Sequence, residues 1–187
     1  MQDEHTDLAD FTEFLRKKTY ILANAFEQDK KFLPLPNVLK SNKGAPNPQQ
    51  IEAPIQQDLI EKEVENVTKK DYRLLKNNNY EVFLAPYQEI PNIMKEIGRL
   101  REITFREVGE GTNASSDVDK FDLYYHHLFL WDNEAKKIAG AYRMGLGAEI
   151  FPKYGIEGFY THDLFRFEPE LYDMMSKTIE MGRAFII

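Results

Sequence analysis

The chain contains no cysteine, which excludes a disulfide framework, a thiolate nucleophile and a thiolate metal site. Long apolar runs are missing too, since none approaches the ~18 residues that a membrane-spanning helix requires. The first residues, Met1 to His5, are acidic and lack the cationic and apolar regions of a signal peptide. These absences predict a cytoplasmic protein whose contact with a membrane, if it makes one, is peripheral.

The chain also lacks an excess of positive charge. Its formal net charge is -7, whereas a nucleic-acid surface normally needs a concentrated basic patch, so we expect no nucleic-acid partner. Hydrophobic residues make up 42% and aromatic residues 13% of the 187 positions, which is sufficient for a packed core. This length fits one ordinary domain, or part of a larger domain with an appendage.

The first 70 residues divide into a helix, a linker and a second helix. Apolar residues recur at the helical period over Leu8–Phe26. Five prolines in a polar stretch then predict an irregular linker over Pro34–Pro54, which would separate that helix from the rest of the fold. A polar helix follows from about Gln56 to Lys70, with only a narrow apolar stripe: Ile60, Val64 and Val67.

The remainder of the chain alternates between strand and helix patterns. We predict, in order, a strand over 80–85, a helix from Pro91, a hairpin of 123–131 with 138–146, a short helix over 169–177 and a strand over 178–187. The predicted apolar face of the first of these helices is Ile93, Ile97, Leu100, Thr104 and Val108. This order describes an α+β fold in which helices pack on a mixed sheet.

Three aspartates, Asp117, Asp119 and Asp122, follow a glycine-containing turn. Aspartate is common in turns and caps, so a solvated loop is one interpretation. A second is a negatively charged wall that attracts a substrate ammonium group. A third is a metal site, although the stretch lacks the glycine and terminal glutamate of a calcium loop. The spacing alone leaves the three alternatives open.

Two histidines and an arginine lie in strand-like, apolar surroundings. Side chains alternate along a strand, so at most one of His126 and His127 faces a given cleft. A single strand histidine is more often a core or surface residue than a functional one. Arg143 is flanked by apolar and small residues and must therefore find a carboxylate, a phosphate or solvent.

Glu180 and Arg183 raise the same demand in the final strand. Residues three apart point to opposite faces of a regular strand, but a bulge at Gly182 would bring both side chains to one face. A cross-strand salt bridge and a catalytic role are equally compatible with this spacing.

Five motifs in this order resemble the hemolysin-type branch of the GNAT acyltransferases: Leu-Arg-x-x-x-Phe at 100–105, Asp-x-Asp-x-x-Asp at 117–122, His127-Leu128, Tyr142-Arg143 and Glu180-x-Gly-Arg183. That branch includes acyl-carrier-protein-dependent N-acyltransferases that make ornithine and other aminoacyl lipids. The acyl-homoserine-lactone synthases share the pattern more distantly. The resemblance extends back to about Leu74. In addition, residues 14–20 resemble the closing helix of a glycerophosphate-type O-acyltransferase domain, which some bacterial lipid enzymes carry ahead of the GNAT-like domain.

The resemblance implies three segments. Residues 1–26 would end an O-acyltransferase domain, residues 27–70 would form a linker with a polar helix, and residues 71–187 would be the N-terminal half of a GNAT-like domain. In that family a pyrophosphate-binding loop and helix follow the strand in which this chain ends. We therefore expect a fragment of a fused protein, incomplete at its C-terminus and inactive in isolation.

The resemblance also implies roles for eight residues. Arg101 and Phe105 would lie beside the substrate cleft on the first helix. A charged cluster would order the site and bind the substrate: Asp119, Asp122, Arg143, Glu180 and Arg183. Glu180 is the first candidate for the general base and His127 the second, with Arg143 as a third member of the catalytic group.

The implied activity is transfer of a long acyl chain, such as a 3-hydroxyacyl chain, to the amine of an amino acid such as ornithine or glycine. The donor would be a thioester of acyl-carrier protein or coenzyme A, with no resident cofactor or metal. The carrier protein and the amino acid would be the partners, and the enzyme would work in the cytoplasm, with peripheral contact to the inner face of the membrane. The alternative is a module without catalytic activity that docks to a carrier protein or a membrane. Convergence of the charged residues in one cleft would favour the enzyme.

Overall fold

The computed structural model describes residues 47–187, which form one compact unit. The predicted helix over Leu8–Phe26 and most of the predicted linker lie outside the described residues. The helices and strands run in the order α1 (Gln57–Lys69), β1 (Arg73–Asn77), β2 (Tyr80–Pro86), α2 (Pro91–Glu107), β3 (His126–Asp132), β4 (Lys137–Leu146), α3 (Gly147–Tyr154), α4 (Tyr172–Met175) and β5 (Ile179–Ile186).

The five strands form one sheet in their sequence order, and every pairing within 47–187 is antiparallel, so over these residues the sheet is antiparallel and not mixed as predicted. The α+β class, with helices flanking a sheet, is confirmed. The predicted hairpin is present as β3 and β4, and the predicted final strand as β5. Strands that follow one another closely pair as neighbours because short connections suit antiparallel ladders.

Strand β1 has no counterpart in the sequence prediction. All five of its residues are exposed, so they carry no apolar alternation that would mark a strand. Instead, β1 is joined to β2 by the two residues Asn78 and Asn79, and Asn78 takes a left-handed backbone with φ of 53°. Asparagine tolerates that conformation in hairpin turns, so the pair Asn78-Asn79 was the sequence signal from which this hairpin could have been predicted.

The buried face of α2 differs from the predicted one. Ile93 and Ile97 are buried as expected, but Val108 is 68% exposed and lies beyond the helix. In the second half of the helix the buried side chains are those of Arg101 and Glu102. Apolar periodicity could not identify this face, because each charge is buried only by virtue of partners supplied from later in the chain.

Helix α1 packs its narrow stripe of Ile60, Val64 and Val67 into the main core, as its spacing predicted. The main core lies between the helices and one face of the sheet, where the rings of Phe83 and Phe129 stack with centroids 5.1 Å apart. The helix therefore belongs to the folded unit.

Residues 47–56 form no regular element, which agrees with the described part of the predicted linker. They are nevertheless tied to the loop after α2. The amide of Gln49 donates to the carbonyl of Asn113 at 2.9 Å, and that of Glu52 donates to Ser115 at 3.1 Å. The segment is thus attached to the loop that leads towards the three aspartates.

A second, smaller core forms between the segment that precedes β3 and the segment between β4 and β5. Its buried members are mostly aromatic or branched: Phe121, Tyr125, Ile150, Ile156, Phe159 and Met175. Helix α3, which contains Pro152, was not predicted. The predicted helix at 169–177 is a 3-10 turn followed by the short α4.

Candidate active site

A network of three arginines and three aspartates joins α2, the segment before β3, β4 and β5. Its members are Arg101, Asp117, Asp119, Asp122, Arg143 and Arg183. The charges are equal in number and opposite in sign, so the network is neutral when all six are ionised. Most of these side chains are buried, and burial of an ionised group is tolerated only where such pairing offsets the lost hydration.

Arg101, on α2, is the most deeply buried arginine of this network and is 1% exposed. Its Nε donates to Asp117 Oδ2 at 2.9 Å, and its two terminal nitrogens donate to the carboxylate of Asp122 at 3.2 and 2.8 Å. A further bond reaches the backbone carbonyl of Asp117. The planar guanidinium thus connects two carboxylates and one carbonyl, a geometry that a lysine ammonium could not reproduce.

Asp119 and Asp122 are held close together by a reciprocal capping box around a 3-10 turn. Asp119 Oδ1 accepts from the amide of Phe121 at 2.8 Å, and Asp122 Oδ2 accepts from the amide of Asp119 at 2.8 Å. Burial opposes ionisation of Asp122, but the hydrogen bonds and charge of Arg101 outweigh it and lower the pKa of this carboxyl. The Asp-x-x-Asp motif therefore forms the turn and also directs two carboxylates towards the arginines.

Arg143 projects from β4 into the centre of the network and is 2% exposed. Its Nη1 lies 2.7 Å from both carboxylate oxygens of Asp119 and 3.5 Å from Asp122 Oδ1. The guanidinium also lies over the rings of Tyr160, Tyr125 and Phe121 at 5.0, 5.4 and 5.5 Å. Burial alone would lower the pKa of Arg143, but the two aspartates raise it, so the side chain stays charged.

His127 stands opposite Arg143 in the β3–β4 ladder, and its imidazole is 1% exposed. Burial lowers its pKa to about 4, so the ring is neutral at neutral pH. Nε2 lies 2.9 Å from the carbonyl oxygen of Asp122 and must donate to it, because a carbonyl only accepts. His126 is on the opposite face, as alternation predicted, with Nδ1 4.0 Å from the carboxylate of Glu149.

Glu180 lies beside the network on β5. Its Oε2 accepts from the amide of Tyr160 at 3.0 Å and from the hydroxyl of Tyr125, and its Oε1 accepts from the amide of Thr161 at 2.8 Å. Burial and the carboxylate of Glu180 both raise the pKa of Tyr125, so its hydroxyl remains protonated and donates. The carboxylate is therefore held in one orientation by three donors.

Glu180 and Arg183 reach the same site because β5 contains a bulge. Gly182 pairs with Arg143 and Phe185 pairs with Ala141, so Arg183 and Ala184 both stand opposite a single residue of β4. The sequence allowed a bulge at Gly182, but the residue of β5 with the left-handed backbone is Arg183, with φ of 52°. For a residue with a side chain this conformation costs roughly 1–2 kcal/mol.

Arg183 completes the network. Its guanidinium pairs with Asp117 and with Asp119, the second contact at 3.1 Å, and lies 5.8 Å from the ring centre of Tyr160. Phe105, one turn beyond Arg101 on α2, is half-buried and takes no part in the hydrogen-bonded network. The structure thus brings together all the predicted charged residues, with Glu180 joined to them through Tyr125 and Tyr160.

Several residues of the site were given no individual role from the sequence. Asp117 was one of three candidate aspartates, but nothing in its spacing showed that it bridges Arg101 and Arg183. Tyr125 and Tyr160 gave no signal, because aromatic residues among apolar neighbours are usual in a core.

Glu102 was also not selected. It is fully buried and accepts from Arg106 at 2.7 Å and from the amides of Thr112 and Asn113 at 3.0 and 2.9 Å. Burial raises its pKa, but the bonds from Thr112 and Arg106 prevail and lower it. Glu102 thereby fixes the start of the loop that carries the three aspartates.

The metal-site alternative for the aspartates finds no support in the geometry. Each of the three carboxylates is already paired with at least one guanidinium. Across residues 47–187, no group of three or more histidine, aspartate or glutamate side chains is arranged to hold a metal ion. In the same part of the chain, no helix combines the length and the apolar character needed to cross a membrane.

Comparison with known proteins shows what the part of the chain that carries this site is similar to. Residues 100–187 match the family described as the acetyltransferase (GNAT) domain. That match includes every predicted site residue, from Arg101 to Arg183. The antiparallel sheet with flanking helices is consistent with the GNAT fold.

Two named relatives carry the comparison further. The chain is 38% identical over 143 residues to a glycine N(alpha)-acyltransferase of Phocaeicola vulgatus, and 34% identical over 143 residues to one of Bacteroides thetaiotaomicron. Each alignment covers 74% of this chain but only 43% and 42% of the respective relative, so the chain spans less than half their length. No solved structure matches the chain. The domain match and the relatives together support an N-acyltransferase.

Proposed function

We propose that the protein to which this chain belongs transfers a long acyl chain from a thioester to the α-amine of an amino acid. The observation that carries the proposal is the carboxylate of Glu180, held by three donors beside a bulged strand and a neutral network of arginines and aspartates. The similarity to two proteins named glycine N(alpha)-acyltransferase supports glycine as the first substrate to test. Ornithine is the second, on the hemolysin-type resemblance.

Glu180 is better placed than His127 to take the proton from the substrate ammonium. Each carboxylate oxygen has two lone-pair directions. Oε2 already accepts from two donors, whereas Oε1 accepts only from the amide of Thr161 and keeps one direction for the proton. His127 is buried, and its Nε2 is engaged by the carbonyl of Asp122.

The proposed reaction has three steps. Glu180 removes a proton from the ammonium group, which frees the nitrogen lone pair. The amine then attacks the thioester carbon, and as the C–N bond forms the carbonyl π electrons move to oxygen. Backbone N–H groups at the bulge of β5 stabilise this oxyanion. Collapse re-forms the carbonyl and breaks the C–S bond. The second proton of the nitrogen passes to the departing thiolate, and Glu180 releases its own proton to solvent.

In this proposed reaction, the network of arginines and aspartates holds the site in a fixed arrangement. The three arginines lie on α2, β4 and β5, and all of them pair with carboxylates of the segment before β3. The network therefore ties these elements together around Glu180. Such a fixed arrangement favours catalysis, because charge that develops in the transition state meets dipoles that need no reorganisation. Convergence of these residues also supports an enzyme over a docking module, the alternative left open by the sequence.

We propose acyl-carrier protein as the donor and a role in bacterial membrane-lipid synthesis, with the lipid product released at the inner face of the membrane. These follow from the resemblance of the motifs. The fusion to an O-acyltransferase domain that ends with residues 1–26 has the same basis. The linker that follows it would be shorter than the predicted 27–70, because α1 packs into the main core. A coenzyme A thioester is the competing donor in the assay.

The test is acyl transfer by the full-length protein, with acyl-carrier-protein and coenzyme A thioesters offered to glycine, ornithine and a panel of other amino acids. Glu180→Gln should lower kcat by about 10²–10⁴-fold with a smaller change in the KM for the amino acid, because a general base acts chiefly in the transition state. Glu170→Gln, at an exposed position, is the matched control. Full activity of Glu180→Gln would remove Glu180 from the role of base, and absence of transfer to any amino acid would refute the function.

A further inference from the structure

The left-handed backbone of Arg183 is an unusual feature of the bulge. Bulges in which one residue takes a positive φ normally use glycine at that position. Here Gly182 lies directly before the position and has no positive φ, and a Cβ atom on it would meet nothing within 4 Å. The chain therefore carries a side chain at the one position of β5 where glycine is favoured.

The Arg183 side chain is fixed at its far end by two carboxylates. It pairs with Asp117 and, at 3.1 Å, with Asp119. Asp117 is itself immobilised, because it is 2% exposed, its amide donates to the carbonyl of Gly98 at 3.0 Å, and its carboxylate accepts from Arg101 at 2.9 Å. The position of the guanidinium is thus set by α2 and the aspartate segment, not by β5.

We infer that Asp117 is a positioning residue, which with Asp119 holds Arg183 in the left-handed conformation and so maintains the bulge. A bulge leaves a residue unpaired in the ladder, which frees backbone N–H groups next to Glu180 for the thioester oxygen. Strained conformations of this kind persist only where the surrounding structure imposes them. This role rests on the proposed acyl transfer, and it differs from the direct binding of substrate by Arg183 that the family resemblance implies.

The decisive comparison is Arg183→Gly against Arg183→Ala in the full-length protein. Glycine adopts a positive φ without the cost that alanine incurs, so it should maintain the bulge without the carboxylates. We expect Arg183→Gly to retain kcat within about tenfold of wild type, and Arg183→Ala to lower kcat by about 10²–10³-fold, the effect of losing one oxyanion donor. Equal losses in the two variants, or a matching rise in the KM for the amino acid in both, would show that Arg183 binds substrate and would overturn the inference.

Asp117→Asn supplies the second arm. Alone it should lower kcat, since the pair with Arg183 is weakened. In the Arg183→Gly background it should lower kcat by a clearly smaller factor, because the pair with Arg183 is already gone and only the pair with Arg101 is weakened. An equal loss of kcat in both backgrounds would contradict a role through Arg183. Thermal unfolding of each variant separates these effects from loss of the fold.

A structural measurement keeps the inference independent of the activity. In the 187-residue chain, the φ-dependent amide coupling of residue 183 and the hydrogen exchange of residues 181–186 report the bulge directly. Both should be retained in Arg183→Gly and altered in Arg183→Ala. If the wild-type protein transfers no acyl group, the proposed function fails while this measurement still decides the role of Asp117. If it does transfer and the coupling is the same in both variants, the inference alone fails.

Discussion

Replacement of Arg101 by methionine tests whether the buried charges depend on one another. Methionine keeps much of the apolar stem but removes four hydrogen bonds, three to the carboxylates of Asp117 and Asp122 and one to a backbone carbonyl. Both carboxylates are at most 2% exposed, so water cannot replace the guanidinium. Removal of one partner from a buried ion pair typically costs about 3–5 kcal/mol, and we expect a loss of unfolding free energy in this range.

The loss should depend on pH. In the wild-type fold Arg101 holds the pKa of Asp122 below its usual value, so the stability contributed by this ionised carboxylate is present at neutral pH and is lost as pH falls through the folded pKa. Without Arg101, burial dominates and the folded pKa rises, although Arg143 at 3.5 Å offsets part of this. The difference between wild type and variant should therefore be largest near neutral pH and should shrink as pH falls to about 4.

The assay is urea or thermal unfolding of the 187-residue chain across this pH range. A loss of this size corresponds to a fall in Tm of roughly 6–20 °C for a domain of this length. Lys62→Met is the control, because Lys62 is 68% exposed and pairs with Asp58 on the surface, where such pairs contribute about 0–1 kcal/mol. A loss below about 1 kcal/mol for Arg101→Met, or one of constant size across the pH range, would refute the mutual dependence of these charges.

Three further substitutions test separate parts of the structure. Gly98→Ala would bring a Cβ atom against Val118 Cγ2 and to 2.8 Å from Ser116 Oγ, so these side chains or the backbone at Asp117 must shift. We expect a loss of about 1–3 kcal/mol in urea unfolding, and an unchanged midpoint would contradict this packing. Gly182→Ala should change both stability and kcat little, because a Cβ atom at this position meets no other atom within 4 Å. A loss as large as that of Arg183→Ala would show that the bulge requires glycine at position 182. Thr161→Val should raise the unfolding free energy by about 1 kcal/mol, because the Thr161 hydroxyl is buried without a hydrogen-bond partner in the described part of the chain; a lower stability would reveal a partner for it.

Much of the fold follows from local patterns. The hairpin of β3 and β4, the start of α2 at Pro91 and the final strand were predicted because each depends on apolar alternation or on a residue with a fixed backbone preference. Strand β1 escaped prediction since both of its faces are exposed, and α3 because it is short and contains Pro152. Where burial does not impose a pattern, the sequence carries little signal.

The candidate site divides in the same way. The sequence alone marked charged residues in apolar surroundings, from which mutual pairing follows because an unpaired buried charge is too costly. It could not determine which charges pair, since Arg101 meets its carboxylates 16 and 21 residues further along, and Arg183 meets Asp117 at a separation of 66. Nor could it show that Arg183, and not Gly182, takes the left-handed backbone. Those choices depend on the energies of contacts between distant segments, and only the tertiary structure brings the segments together.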